Sequence, residues 1–248
     1  MLVETARRSG LTRELSRRLG PWRRPLATHD PGKIVLDLAV TVALGGDAAA
    51  DVAVLRAQPA VFGPVASDPT VSRLIGRLAD DADDALTAIT TARAVARERV
   101  WAWAGAPTQQ GSVVIDLDAT LVTAHSDKQD ATRTWKKTFG FHPLLGFVDH
   151  GAGGMGEPVA ELLRPGRAGS NTAVDHVQAL DAALAQIPAA LRVPAVDGRR
   201  QVLVRTDAAG ATREFAAHLH RTGVEFSVGA SFAHLDVHPA LGMLPKSA

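Results

Sequence analysis

Asp116 and Asp118 stand two residues apart in Val113-Val114-Ile115-Asp116-Leu117-Asp118, an otherwise apolar and largely β-branched run. Such a run predicts a strand. On a strand the i, i+2 spacing projects both carboxylates from one face. Carboxylates at the end of an apolar strand are costly unless a cation or a donor engages them. Asp207 follows a second run of this kind, Gln201-Val202-Leu203-Val204-Arg205. Acids at the ends of two neighbouring strands suit a divalent cation, since Mg²⁺ takes few carboxylates and keeps several waters. The competing use is local: Asp207 precedes Ala208-Ala209-Gly210, where a carboxylate can cap the next turn.

The residues that are missing narrow the chemistry. The 248-residue chain has no Cys, which excludes thiol nucleophiles and Cys-ligated zinc or iron–sulfur sites. It has no Tyr, which excludes a tyrosine nucleophile. Lys+Arg 27 against Asp+Glu 26 leaves a formal net charge of +1, so any basic surface must be local. The first thirty residues lack an apolar signal-peptide core, and the apolar stretch 34–44, interrupted by Asp37, is too short to span a bilayer. The expected location is the bacterial cytoplasm, close to the nucleoid, with no membrane partner.

These acids need elements to position them. Residues 1–105 read as all-helical. Arg7, Arg8, Arg13, Arg17, Arg18, Arg23 and Arg24 face only Glu4 and Glu14 in the first 25 residues, and Leu11, Leu15 and Leu19 recur at helical spacing among them. A buried helix is expected over 34–45, a short one over 48–56, one capped by Asp68 and running to 78, and a long one over 81–103. The segment 106–111 is the boundary. Beyond it the pattern predicts strands at 113–118, 144–148 and 159–163, a helix over 172–186, a strand at 201–205, a helix over 211–221 and a strand at 224–228. This β-β-β-α-β-α-β order implies a mixed sheet covered by helices.

Two families carry such an acidic strand. Asp116-Leu117-Asp118-Ala119-Thr120 resembles the first motif of the haloacid-dehalogenase-like phosphatases, which implies Asp116 as nucleophile and Asp118 as general acid. A second resemblance covers most of the chain, from about residue 10 to about residue 228. Its stretches are His29-Asp30-Pro31-Gly32, Leu55-Arg56, the run from Phe62 to Thr70, Asp116 to Val122, Phe139-Gly140-Phe141-His142-Pro143-Leu144, Leu163-Arg164-Pro165-Gly166 with Asn171, and Val204-Arg205-Thr206-Asp207. In this order they resemble the DDE-type transposases of bacterial insertion sequences, in the group common in actinobacteria.

The resemblance implies a ribonuclease-H-like α/β catalytic domain over 112–230, preceded by a helical DNA-binding region over 1–105. It implies Asp118 as first catalytic acid, with Asp116 as the fallback or a supporting ligand, and Asp207 as the second. These would hold two Mg²⁺ or Mn²⁺ ions that cut and join transposon-end DNA. Arg17, Arg18, Arg73 and Arg77 in the helical region, and Lys136 and Lys137 after the first strand, are the expected DNA contacts. A second copy or an intact transposase is a further expected partner. The family's third acid, a Glu on a helix beyond the fifth strand, has no match; the pattern is lost near Ala230 and 231–248 reads as a divergent tail. The expectation is a C-terminally truncated enzyme, inactive as it stands, with Glu214 and Asp236 as the acids to test first. The phosphatase and a non-catalytic DNA-binding remnant remain as alternatives.

Overall fold

The computed structural model describes residues 1–230; the tail 231–248, with Asp236, lies outside the described residues. The chain divides into two units, Met1–Gly105 and Ala106–Ala248.

The first unit is helical: α1 (Leu2–Arg8), α2 (Leu11–Arg18), α3 (Pro31–Ala43), α4 (Val52–Arg56), α5 (Pro59–Phe62), α6 (Asp68–Asp80) and α7 (Ala82–Ala104), with single 3₁₀ turns at Gly20–Trp22 and Ala49–Asp51. The leucine spacing in α2 is a core stripe: Leu15 and Leu19 are buried and Leu11 packs at the edge of the same cluster, which α3, α4 and α6 complete with Ile34, Val40, Leu55, Val71 and Leu74. The arginines around that stripe are largely matched locally. Arg7 and Arg8 pair with Glu4, and Arg13, Arg17 and Arg18 surround the buried Glu14. The Arg17 guanidinium, followed by the charges of Arg18 and Arg13, holds the Glu14 carboxyl below its ordinary range against the effect of burial.

The helix expected over 48–56 is a 3₁₀ turn followed by α4 from Val52, the one expected from 211 starts at Arg213, and two further starts differ through their caps. α3 begins at Pro31, three residues before the apolar run, because the Asp30 side chain accepts from the Lys33 N–H at 2.9 Å and from the Ser16 hydroxyl at 2.8 Å. A run of apolar residues marks where a helix is buried, whereas the cap decides where it starts. At α6 the cap is Ser67, not Asp68; the Asp68 carboxylate is taken by Arg56, which also donates to the Ala66 carbonyl and so ties the 62–67 loop to α4.

The second unit is built on a mixed sheet. β1 (Thr108–Gln109) forms a hairpin with β2 (Ser112–Ala119). The short β3 (Val122–Thr123), β4 (Thr132–Arg133) and β5 (Phe139–Phe141) make a separate small sheet. The main sheet continues with β6 (Leu144–Val148) and β7 (Glu157–Leu162), then α8 (Ala173–Gln186), β8 (Val202–Thr206), α9 (Arg213–Thr222) and β9 (Glu225–Val228). Its order is β7-β6-β2-β8-β9. The first three long strands, β2, β6 and β7, pair antiparallel, and β8 and β9 add parallel on the other side of β2. Both β-α-β crossovers advance in the same direction. Right-handed connection then puts α8 and α9 on one face, where the rings of His176 and Phe215 meet at 5.3 Å and Leu180 and Leu219 are buried. That face is apolar: Val113, Ile115, Leu117, Leu144, Val148, Val202 and Val204 are buried beneath the helices. Strand alternation sends Asp116, Asp118, Leu145, Phe147, Leu203 and Arg205 to the opposite face, where Ser112 and Val114 are the buried residues of β2.

The motif glycine of the α2–α3 crossing gives the fold a direct test. A Cβ on Gly32 would lie 2.3 Å from the Ser16 nitrogen and 2.4 Å from the Leu15 carbonyl carbon, both backbone atoms that cannot step aside. Gly32→Ala is expected to cost about 3 kcal/mol, at the upper end for overpacking, against about 1 kcal/mol for the cap deletion Asp30→Ala. Urea unfolding of the three chains compares them; an unchanged midpoint for Gly32→Ala would contradict the close approach.

Candidate active site

The β2–β8 pairing builds the site. In parallel register Asp116 faces Arg205 and Leu117 faces Thr206. Asp118 and Asp207 each follow that last pair by one residue, near the C-terminal ends of two adjacent parallel strands. Neighbouring strands run about 4.8 Å apart, a spacing that suits carboxylates at adjacent strand ends sharing one cation. Asp207 remains extended past the end of β8, at φ −72° and ψ −171°.

The three acids singled out in the sequence have different surroundings. Asp116 is committed: Arg205 donates to both of its oxygens, Nε to Oδ1 at 2.6 Å and Nη2 to Oδ2 at 2.7 Å. Arg205 Nη2 also donates to Asp149 Oδ2 at 2.6 Å. The Asp118 side chain is exposed and makes no hydrogen bond or ion pair with the other described residues. Asp207 is exposed, and its Oδ1 accepts from the Ala209 N–H at 2.9 Å, which caps the 3₁₀ turn Ala208–Gly210 and leaves Oδ2 open. The capping use foreseen for Asp207 is thus real and takes one oxygen of two. Among the described residues no group of three or more His, Asp or Glu converges as a complete metal cage. Glu214, in the first turn of α9, is exposed.

Asp207 lines a cavity of about 560 Å³ together with Ala119, Trp135, His142, Ser170 and Asn171. Its wall explains two of the sequence motifs. His142 is buried, and its Nδ1 lies 2.9 Å from the Ala168 carbonyl. Arg164, also buried, donates Nε to the His142 carbonyl at 2.9 Å and Nη1 to Gly169 O at 3.1 Å and Asp175 Oδ2 at 2.9 Å. Gly166 lets this loop press on the small sheet: a Cβ there would meet the Thr132 carbonyl oxygen at 2.3 Å and that of Gly140 at 2.5 Å. The Phe139–Leu144 and Leu163–Gly166 motifs are therefore two halves of one buried brace, which carries Ser170 and Asn171 to the cavity. Opposite stands Trp135, at 68% exposure, in the turn between β4 and β5; Lys136 Nζ lies 5.0 Å from its ring centre, and Lys136 and Lys137 are exposed.

Asp149 and Arg205 were not marked as a unit by the sequence. Asp149 follows β6, 56 residues before Arg205, and an arginine inside a strand has no spacing signature for its partner. The Gln109 amide, the Gly151 N–H and the Arg205 guanidinium hold the Asp149 carboxyl down to about 2. Asp116 first, then Asp149, stabilises the charged guanidinium against the opposing effect of burial. A depressed carboxyl contributes stability above its ordinary value near 4 and loses it as pH falls toward 2. Arg205→Gln is therefore expected to lower the urea midpoint at pH 7, and the deficit should narrow between pH 4 and pH 2. A deficit that stays constant over that range would show that the Asp149 carboxylate contributes nothing through its charge on Arg205.

Comparison with known families fits this geometry. No curated protein matches the chain. No helix among the described residues is long and apolar enough to cross a membrane. The family model described as transposase DDE domain group 1 matches residues 1–234. Transposases act on DNA, and DDE transposases as a family use divalent metal ions. A match over nearly the whole length, carrying the strand pair that ends in Asp118 and Asp207, decides the family: the chain belongs to transposase DDE domain group 1.

Proposed function

We propose that this chain carries the DNA strand-cutting and strand-joining site of a DDE transposase, with Asp118 and Asp207 as its first two acids. The observation that carries the reading is the β2–β8 register, which aligns an uncommitted carboxylate with a half-committed one at adjacent strand ends. Membership of the family and the strand order support it. Three antiparallel strands with the first one central, then two parallel strands beyond it, is the order a ribonuclease-H-like domain implies. On this reading 112–230 is that domain and 1–105 is the DNA-binding region.

The donor set suits a hard cation. Asp118 brings two free oxygens and Asp207 one, and His142 in the cavity lining has its Nδ1 against the Ala168 carbonyl, so the oxygen donors suit Mg²⁺ and Mn²⁺. Ions held there would activate a water or a DNA 3′-hydroxyl and stabilise the leaving oxygen. The protein's own contribution is placement. The Ala209 N–H fixes the Asp207 carboxylate, and Arg205 keeps Asp116 engaged, so Asp118 rather than Asp116 is the first acid. The same fork argues against Asp116 as a phosphatase nucleophile, because both of its oxygens already accept from Arg205. Trp135 offers a flat ring at the cavity rim for an unstacked base, and Lys136 and Lys137 offer charge to the adjoining phosphates.

Two carboxylates make only part of a two-ion clamp, so the third acid limits cleavage. Mn²⁺ is expected to bind the chain, with affinity lowered at least tenfold in Asp118→Ala and in Asp207→Ala. Nicking of transposon-end DNA by the 248-residue chain is expected to be absent. Metal-dependent nicking abolished by Asp118→Ala would keep the site and add a third acid, with Glu214 and Asp236 tested first. Mn²⁺ binding untouched by both substitutions would overturn the assignment.

A further inference from the structure

The arginines that remain unmatched converge at a second place. Of the seven in the first 25 residues, five pair with Glu4 or Glu14, and Arg23 and Arg24 have no carboxylate partner among the described residues. The segment carrying them runs from the Gly20–Trp22 turn to the Asp30 cap of α3 and lies against α6. On α6, Thr70, Arg73 and Arg77 follow at i, i+3 and i+7, one face of the helix. The two sides enclose a cavity of about 380 Å³ lined by Arg23, Arg24, His29, Thr70, Arg73 and Arg77, and no carboxylate among the described residues lines it. The guanidinium donors are spent only on neutral oxygens: Arg23 on Ala27 O at 3.2 Å, Arg73 on Thr70 Oγ1 at 3.3 Å, and Arg77 on Arg73 O at 3.2 Å. The Arg77 Nε–H is buried with no acceptor. Four cations and an orphaned donor facing one cavity repel one another unless an anion enters.

We infer that this cavity binds the phosphodiester backbone of DNA and is the anchoring site of the helical unit. The inference rests on the reading of the chain as a DNA-acting protein but not on its metal site. Guanidinium groups match phosphate oxygens in planar, paired geometry. Arg23, Arg24 and Arg73 are exposed, so a long polyanion can reach them without a conformational opening. Backbone phosphates carry no base identity, so the cavity fixes position and contributes salt-dependent affinity that is independent of sequence. The assignment also shifts the emphasis within the basic N-terminus. Arg17 and Arg18 already share Glu14, whereas Arg23 and Arg24 are uncompensated.

The test is duplex binding by the full chain in EDTA over a salt series, which removes metal chemistry from the readout. The variant R23Q/R24Q/R73Q is expected to bind at least tenfold more weakly near 0.1 M salt, with the slope of log affinity against log salt reduced by about 2 to 3. R7Q/R8Q, whose charges Glu4 already balances, is expected to match the wild type. R23K/R24K/R73K, which keeps the charge, should recover most of the slope and separate charge from folding. Wild-type affinity and slope in the glutamine variant would overturn the pocket while leaving the metal site untouched. No DNA binding by the wild-type chain would overturn both this inference and the DNA-acting reading. Titration with pyrophosphate provides the last arm: tight binding lost in the glutamine variant, with DNA binding unaltered, would make this a small-anion site and overturn the DNA assignment.

Discussion

Everything at the candidate active site depends on one strand pairing. β2 and β8 come from segments 89 residues apart, and their parallel register sets Asp116 opposite Arg205. The guanidinium closes on Asp116 and reaches past β2 to Asp149, which follows β6, so three strands are tied by one side chain. A slip of one residue would send Arg205 to the apolar face beneath α8 and α9, where no carboxylate awaits it. The ion pairs and the buried valines therefore demand the same register. The same register sets Asp118 and Asp207 one residue beyond its last pair, with no attraction between like charges to draw them there.

The division of labour among the acids follows from this. One carboxylate of the Asp-x-Asp pair is consumed by the scaffold, and its neighbour two residues on stays free. The strand alternation that puts both on one face also makes them chemically unequal, because Arg205 reaches only as far as the first. Asp207 stands between these extremes, oriented by a backbone N–H through one oxygen and open at the other. On the far wall of the cavity the same economy holds. Arg164 and His142 lie in the motifs, yet both are buried in contacts to backbone carbonyls and Asp175; they hold the loop that carries Ser170 and Asn171.

How much of this was legible in the sequence depends on the range of the interaction. β6 and the core of α8 and β8 were readable to within a residue or so, since periodicity and β-branching report local burial. Helix starts were less so: Asp30 caps α3 through a side chain that a short apolar run does not mark, Ser67 is the N-cap of α6 without a side-chain cap bond, and Asp68 looks like a cap but is drawn away by Arg56. The two-residue and three-residue strands β3, β4 and β5 lie below the length at which alternation can be counted. Asp116, Asp118 and Asp207 were legible as an acidic set because each interrupts or ends an apolar run. Their unequal roles were not, because Asp149 and Arg205 become partners only once three strands have paired. The glycines of the motifs were visible as letters, but the reason for Gly32, a backbone contact between α2 and α3, exists only in three dimensions.

The central claim is that Asp118 and Asp207, and not Asp116, form the cation site at the ends of β2 and β8. Anomalous scattering from Mn²⁺ in crystals of the protein tests it most directly. The account predicts a manganese peak bridging Asp118 Oδ and Asp207 Oδ2, at about 2.1 to 2.2 Å, with the Asp116–Arg205–Asp149 ion pairs intact. Manganese bound to Asp116 with the Arg205 fork displaced, or no density at the Asp118–Asp207 pair at saturating Mn²⁺, would contradict it.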